Sequence, residues 1–93
     1  MELEYKYLIA DILLLNGKTT LTDLIKQATK KDVYENRARV IDSLLTDLSY
    51  FQVWGVITRE TIGNEVIITL TKSGKEQIET VNKMRSKNEY FRN

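Results

Sequence analysis

Apolar residues recur every three or four positions along most of this chain, and one segment alone switches to a two-residue alternation. The stretch "LEYKYLIADILLLNG" predicts a first helix ending at Gly17, a residue suited to the left-handed position after a helix. Tyr5, Leu8, Ile12 and Leu15 share one of its faces, Ile9 and Leu13 lie beside them, and Leu3, Tyr7 and Leu14 take other sides. A helix apolar nearly all round is covered on more than one side, and in so small a domain a second subunit is the expected cover.

The next stretch, "TTLTDLIKQATKK", offers Thr20 as a cap with Asp23 three residues on, then an apolar stripe of Leu21, Leu24, Ile25 and Ala28. A third helix is expected to start from Asp32, with Glu35 at capping-box spacing. Its predicted buried stripe is Tyr34, Ala38, Ile41, Leu44, Leu45, Leu48 and Phe51, and its stop is near Trp54 and Gly55. Phe51 and Trp54 are read as core residues at the junction with the following strand.

"VITRETIGNEVIITLT" is the alternating segment and predicts a hairpin. Gly63-Asn64 suits a two-residue turn of type II′ or I′. That loop length pairs Ile57 with Leu70, Arg59 with Ile68 and Thr61 with Val66, and leaves Thr58, Glu60, Glu65 and Thr69 on the outer face. A last helix is expected from Thr71 as cap towards Tyr90, with Ile78, Val81, Met84 and Phe91 along one side.

Composition narrows the chemistry. The 93 residues allow one domain with one modest core, and no proline-rich or low-complexity stretch divides it. With no Cys and no His, disulfides, thiolate nucleophiles, zinc–sulfur sites and the commonest general base are excluded. The acidic residues are scattered and no glycine-rich phosphate loop is present, so an enzyme is not expected, nor a metal or cofactor. No apolar run approaches a membrane span, and the opening "MELEYKY" lacks the basic start of a signal peptide, which makes the cytoplasm the expected location.

The net charge of +1 hides a segregation. Residues 26–39 carry net +3 and residues 72–93 net +3, whereas 1–25 carry −2 and 40–71 carry −3. The first basic segment straddles the start of the third helix, where a major-groove helix presents its side chains to DNA.

The order helix, helix, helix, hairpin, helix resembles a winged helix-turn-helix domain. In "LLTDLSYFQVWGVITRE", Phe51, Gly55, Val56 and Ile57 fill the places of the Leu-x-x-x-Gly-Leu-Ile pattern that leads such a recognition helix into its wing. "ITLTKSG" is similar to the Leu-Thr-x-x-Gly that ends the wing in PadR-like and MarR-like regulators. The resemblance implies an α+β winged-helix fold over residues 1–93: helix-turn-helix about 20–54, wing about 56–70, and a C-terminal dimerisation helix about 71–90.

With the predicted stripe buried, the opposite side of the third helix carries Asn36, Arg39, Ser43, Thr46 and Tyr50, with Arg37 at the flank. Asn and Arg suit bidentate contacts to adenine and guanine, Ser43 a base or a phosphate. Lys30 and Lys31 precede the helix, within reach of phosphates, and Tyr34 at its start is a further candidate contact. Arg59 and Asn64 are weaker candidates, because Glu60 and Glu65 share the wing and repel phosphate. Asp42 and Asp47 are expected to lie further along the helix, away from the DNA. Leu3, Tyr7, Leu8, Ile78, Val81 and Met84 are the candidate dimer interface.

The reading is therefore a homodimeric double-stranded-DNA-binding protein, most simply a transcriptional regulator. A partition or architectural DNA-binding role, or a protein-interaction module on the same scaffold, is the alternative. No site for an effector can be read from the sequence.

Overall fold

The first helix ends where the sequence supplies a glycine, and the chain then does something its pattern did not announce. In a computed structural model that describes residues 3–91, with side chains described through Met84, α1 spans Lys6–Asn16 and the Gly17 N–H closes it on the Leu13 carbonyl at 2.7 Å. Lys18–Thr20 then form a three-residue strand, β1. Thr20 leaves that strand in extended conformation and caps α2 (Leu21–Lys31), its Oγ1 accepting from the Asp23 N–H at 3.1 Å, as the spacing predicted.

The third helix departs from expectation. Asp32 closes α2 rather than opening the next helix, its N–H donating to the Ala28 carbonyl at 3.0 Å. Residues 32–36 are the turn, and α3 runs Arg37–Val53 with Asn36 as its cap, the Asn36 Oδ1 accepting from the Arg39 N–H at 3.2 Å. Tyr34 therefore lies in the turn and is fully solvent-exposed, not the first residue of a buried stripe.

The buried face of α3 is Val40, Leu44, Asp47, Leu48 and Phe51. Ala38 is exposed, while Ile41 and Leu45 are half-buried. Leu44, Leu48 and Phe51 belong to both the predicted and the observed buried face, and the helix is turned by roughly 70° from the predicted setting. Both stripes are apolar at helical spacing, and the buried aspartate among the true core positions disguised the correct one. Trp54, expected in the core, is 53% exposed and packs at a tilt against Tyr50 and Phe51 with ring centroids 5.6 and 6.2 Å away.

The hairpin follows its predicted register. β2 (Ile57–Ile62) and β3 (Glu65–Leu70) pair Ile57 with Leu70, Arg59 with Ile68 and Thr61 with Val66. Gly63 has φ +62° and no non-glycine residue has positive φ among the described residues, so the turn is II′ rather than I′. β1 joins on the other side of β3, giving a three-stranded antiparallel sheet in the order β1-β3-β2. Its inner face contributes Ile57 and Ile68 to a core shared with Tyr5, Ile9 and Leu13 of the first helical segment, Leu24 of α2 and Leu44 and Leu48 of α3. Burial of each such aliphatic side chain stabilises by about 1.5–3 kcal/mol.

The Leu-Thr-x-x-Gly sequence is the junction to α4 (Lys72–Phe91). The Thr71 Oγ1 accepts from the Gly74 N–H at 2.8 Å, which caps the helix. The same hydroxyl donates to the Gly55 carbonyl at 2.6 Å, and the Thr71 N–H donates to the Val56 carbonyl at 3.0 Å. Gly74 lies so close to Val56 that a Cβ there would collide with the Val56 backbone carbonyl. Thr71 and Gly74 therefore clamp the start of α4 to the α3–β2 connection. Ile78, one turn on, is buried against the same body, while Val81 and Met84 are exposed; the Phe91 side chain lies outside those described.

Among the described residues the architecture is α+β, four helices and one antiparallel sheet. No helix among them is long and apolar enough to cross a membrane.

Candidate nucleic-acid interface

The turn at 32–36 brings the cationic end of α2 against the start of α3. Lys30 and Lys31 are exposed in the last turn of α2, where the helix dipole favours positive charge. Arg37 and Arg39 lie in the first turn of α3, both exposed. Tyr34 and Val33 project from the turn between them, Tyr34 without any cover. Asn36 spends its Oδ1 on the Arg39 N–H, leaving its amide N–H groups as the part that can face a ligand.

Arg39 is not a loose side chain. Its Nε donates to Glu35 Oε2 at 3.3 Å, and its Nη1 meets Glu4 Oε2 at 3.3 Å. The hydrogen bond to the Glu4 carboxylate, ahead of the remaining contacts with Glu4 and Glu35, holds its pKa above the ordinary arginine value. Glu4 precedes Arg39 by 35 residues, and nothing local in the sequence signals that pairing.

Further along α3 the composition changes. The turn in helix setting leaves Ala38, Asp42, Thr46, Ser49 and Val53 exposed on its outward side. Thr46 and Ser49 bond their hydroxyls back to the carbonyls of Asp42 and Leu45, at 2.9 and 3.0 Å. Ser43 and Tyr50, expected on the outward side, are half-buried at its edge. Asp42 stands exposed in the second turn of α3, so negative charge faces outward close to the cationic end. Asp47 is not on the surface; it is 3% exposed, and its Oδ2 accepts from the Tyr5 N–H at 2.6 Å.

Tyr5 ties this end of the molecule together. Its backbone N–H is held by Asp47 of α3, and its hydroxyl donates to Asp32, the closing residue of α2, at 2.6 Å. Burial, then the hydrogen bond to Asp32, pushes the phenol pKa well up, so it stays a donor. Burial also raises the Asp47 carboxyl above the ordinary aspartate range, against the opposing pull of the Tyr5 N–H. The two aspartates fix the relative setting of all three helices beneath the cationic turn.

On the sheet, the Arg59 Nε donates to Gln52 Oε1 at 2.7 Å, which lays its side chain back towards the end of α3. Asn64 is exposed at the hairpin tip, next to Glu65 and with Glu60 exposed nearby on β2. The hairpin and the cationic turn therefore carry unlike charge.

The candidate interface residues divide as well. Leu3 and Ile78 are buried within the chain itself, Leu8 is half-buried, and Tyr7, Val81 and Met84 are exposed. An apolar groove of about 250 Å³ lies between α1, the end of α3 and α4, with Leu3, Ala10, Phe51, Trp54, Ile78 and Val81 in its walls. Comparison with protein-family models, curated proteins and solved structures returned no match.

Proposed function

We propose that this chain is a winged-helix protein that binds double-stranded DNA as a homodimer, most simply a transcriptional regulator. The observation that carries the reading is the meeting of Lys30, Lys31, Arg37 and Arg39 at the turn between α2 and α3. Cations on both sides of a helix start are what a major-groove helix uses, some for phosphates and some for base edges. The order α1-β1-α2-α3-β2-β3, with β1 outside β3, is compatible with that scaffold. On this reading α3 enters the groove by its first turn, with Arg37 and the Asn36 amide nearest the bases and Lys30 and Lys31 on the backbone. Asp42 limits the depth of entry. The exposed Val81 and Met84 of α4, with Tyr7 across the groove, form the surface that a second copy covers.

Selection of duplexes from a random library, followed by gel-shift with competitor DNA, tests this directly. Enrichment of a short two-fold site supports a regulator, and a long footprint without a palindrome supports a partition or architectural role. No retention of any duplex overturns DNA binding. One observation favours a second reading, a protein-interaction module: the outward side of α3 presents Asp42 and the 82%-exposed Val53, and the wing is acidic. Under that reading, Arg37→Ala and Lys31→Ala leave partner binding unchanged.

A further inference from the structure

Arg39 is at the start of α3, yet two carboxylates already occupy its guanidinium. Glu35 comes from the adjacent turn, four residues back, and Glu4 comes from the segment that leads into α1. Both partners are about half exposed, as is Arg39, so the pairs can open at small cost. The Glu4 segment itself is anchored: the next residue is Tyr5, locked by Asp47 and Asp32 at 2.6 Å each. Glu4 is therefore delivered to Arg39 by the core, not by a loose tail.

We infer that Glu4 is a built-in competitor for DNA phosphate at Arg39, a latch that lowers affinity for all duplexes and must open when α3 docks. The inference rests on the DNA-binding reading above and specifies its regulation. A carboxylate and a phosphate ask for the same bidentate fork of the guanidinium. With Nε on Glu35 and Nη1 on Glu4 that fork is taken, and the remaining Nη2 donors would hold a phosphate beside two carboxylates that repel it. Docking exchanges one anion for another, so Arg39 contributes less to binding than Arg37, whose exposed side chain starts the same helix. The anchoring of Tyr5 also gives the latch a fixed geometry. Anything that displaces the N-terminal segment releases Arg39 and strengthens DNA binding.

The test uses the full chain and a duplex that it selects from a random library, at low salt. Glu4→Gln should tighten binding roughly three- to tenfold, with its melting temperature close to the parent's. Removing any surface carboxylate also favours a polyanion, so the decisive arm is the coupling with Arg39. Arg39→Gln alone should weaken binding, and Glu4→Gln added to Arg39→Gln should bring only the small general gain of a lost surface carboxylate, well below its gain in the parent. An equal gain from Glu4→Gln with and without Arg39 reduces the effect to net charge and overturns the latch. Weaker binding by Glu4→Gln overturns it the other way, making Glu4 a positioning residue that aims Arg39. If the parent and every variant retain no duplex, the DNA-binding reading falls and the latch with it.

Discussion

Asp47 is the residue whose chemistry departs furthest from what its surroundings in the sequence suggest. It occupies a core position of α3 and accepts the Tyr5 N–H, so truncation would strand a buried donor. Asp47→Ala is expected to cost about 1–3 kcal/mol. Asp47→Asn keeps the acceptor and removes the buried charge. Because burial raises the native carboxyl pKa, the folded state binds a proton more readily than the unfolded state. The stabilisation from Asp47 is then fully present below the ordinary aspartate value, about 4, and is lost as pH rises through the raised native value. Asp47→Asn should therefore match or exceed the parent in stability at pH 7, and the difference should shrink towards pH 4. Urea denaturation of both proteins at three pH values reads this, and a difference that grows on acidification contradicts the assignment. No pattern rule flags Asp47, since an aspartate at helical spacing among leucines reads as surface until its partner, 42 residues away, is known.

Among the elements, the helices and the hairpin were legible because their signals are local. Thr20 with Asp23, Gly17, Gly63-Asn64 and Thr71 each sit at a boundary that they create, and the hairpin register followed from its loop length. Two things were not legible. Strand β1 is three residues long, too short for alternation to show, and it exists by pairing with β3 about fifty positions away. The setting of α3 was ambiguous because two adjacent faces are apolar, and the true cap, Asn36, lies four residues beyond the apparent one, Asp32. Two of the three glycines in the C-terminal half invite tests. Gly74→Ala drives a methyl into the Val56 carbonyl, so α4 must lift or the connection must shift. A loss of about 1–3 kcal/mol in thermal or urea unfolding is expected, and an unchanged midpoint contradicts the clamp. Gly63→Val forces a β-branched residue to φ +62° and should cost a similar amount through the wing. Because the hairpin carries Glu60 and Glu65 while the cations stand at the turn between α2 and α3, that variant should keep the DNA affinity proposed for the turn once folded. A large affinity loss at unchanged stability would make the wing a main contact.

At the scale of the whole molecule, Val81 and Met84 of α4 are apolar side chains that their own chain leaves exposed. That helix runs for 20 residues, about 30 Å, yet Gly74 and Ile78 in its first two turns are the residues it buries among the side chains described. Of the apolar stripe expected on this helix, Val81 and Met84 are exposed, whereas Ile78, like Leu3, is a core residue of one chain, which the sequence did not reveal. Val81→Asp with Met84→Asp should therefore yield a monomer in sedimentation at micromolar concentration while leaving the unfolding midpoint of the domain nearly unchanged. A parent chain that already sediments as a monomer removes the dimer from the account. The candidate DNA site was legible as a charge pattern, residues 26–39 against a neutral whole, because charge segregation survives folding whichever way α3 is turned. The roles within it were not, since they depend on Asn36 acting as a cap and on Glu4 reaching Arg39. The most direct measurement is the binding of Arg37→Ala and Lys31→Ala to a selected duplex and a scrambled one at three salt concentrations. Arg37→Ala should weaken the selected site by about 1–3 kcal/mol and relax its sequence preference. Lys31→Ala should weaken both duplexes alike and lower the salt slope by roughly one. If both variants bind both duplexes like the parent, the turn between α2 and α3 does not hold DNA.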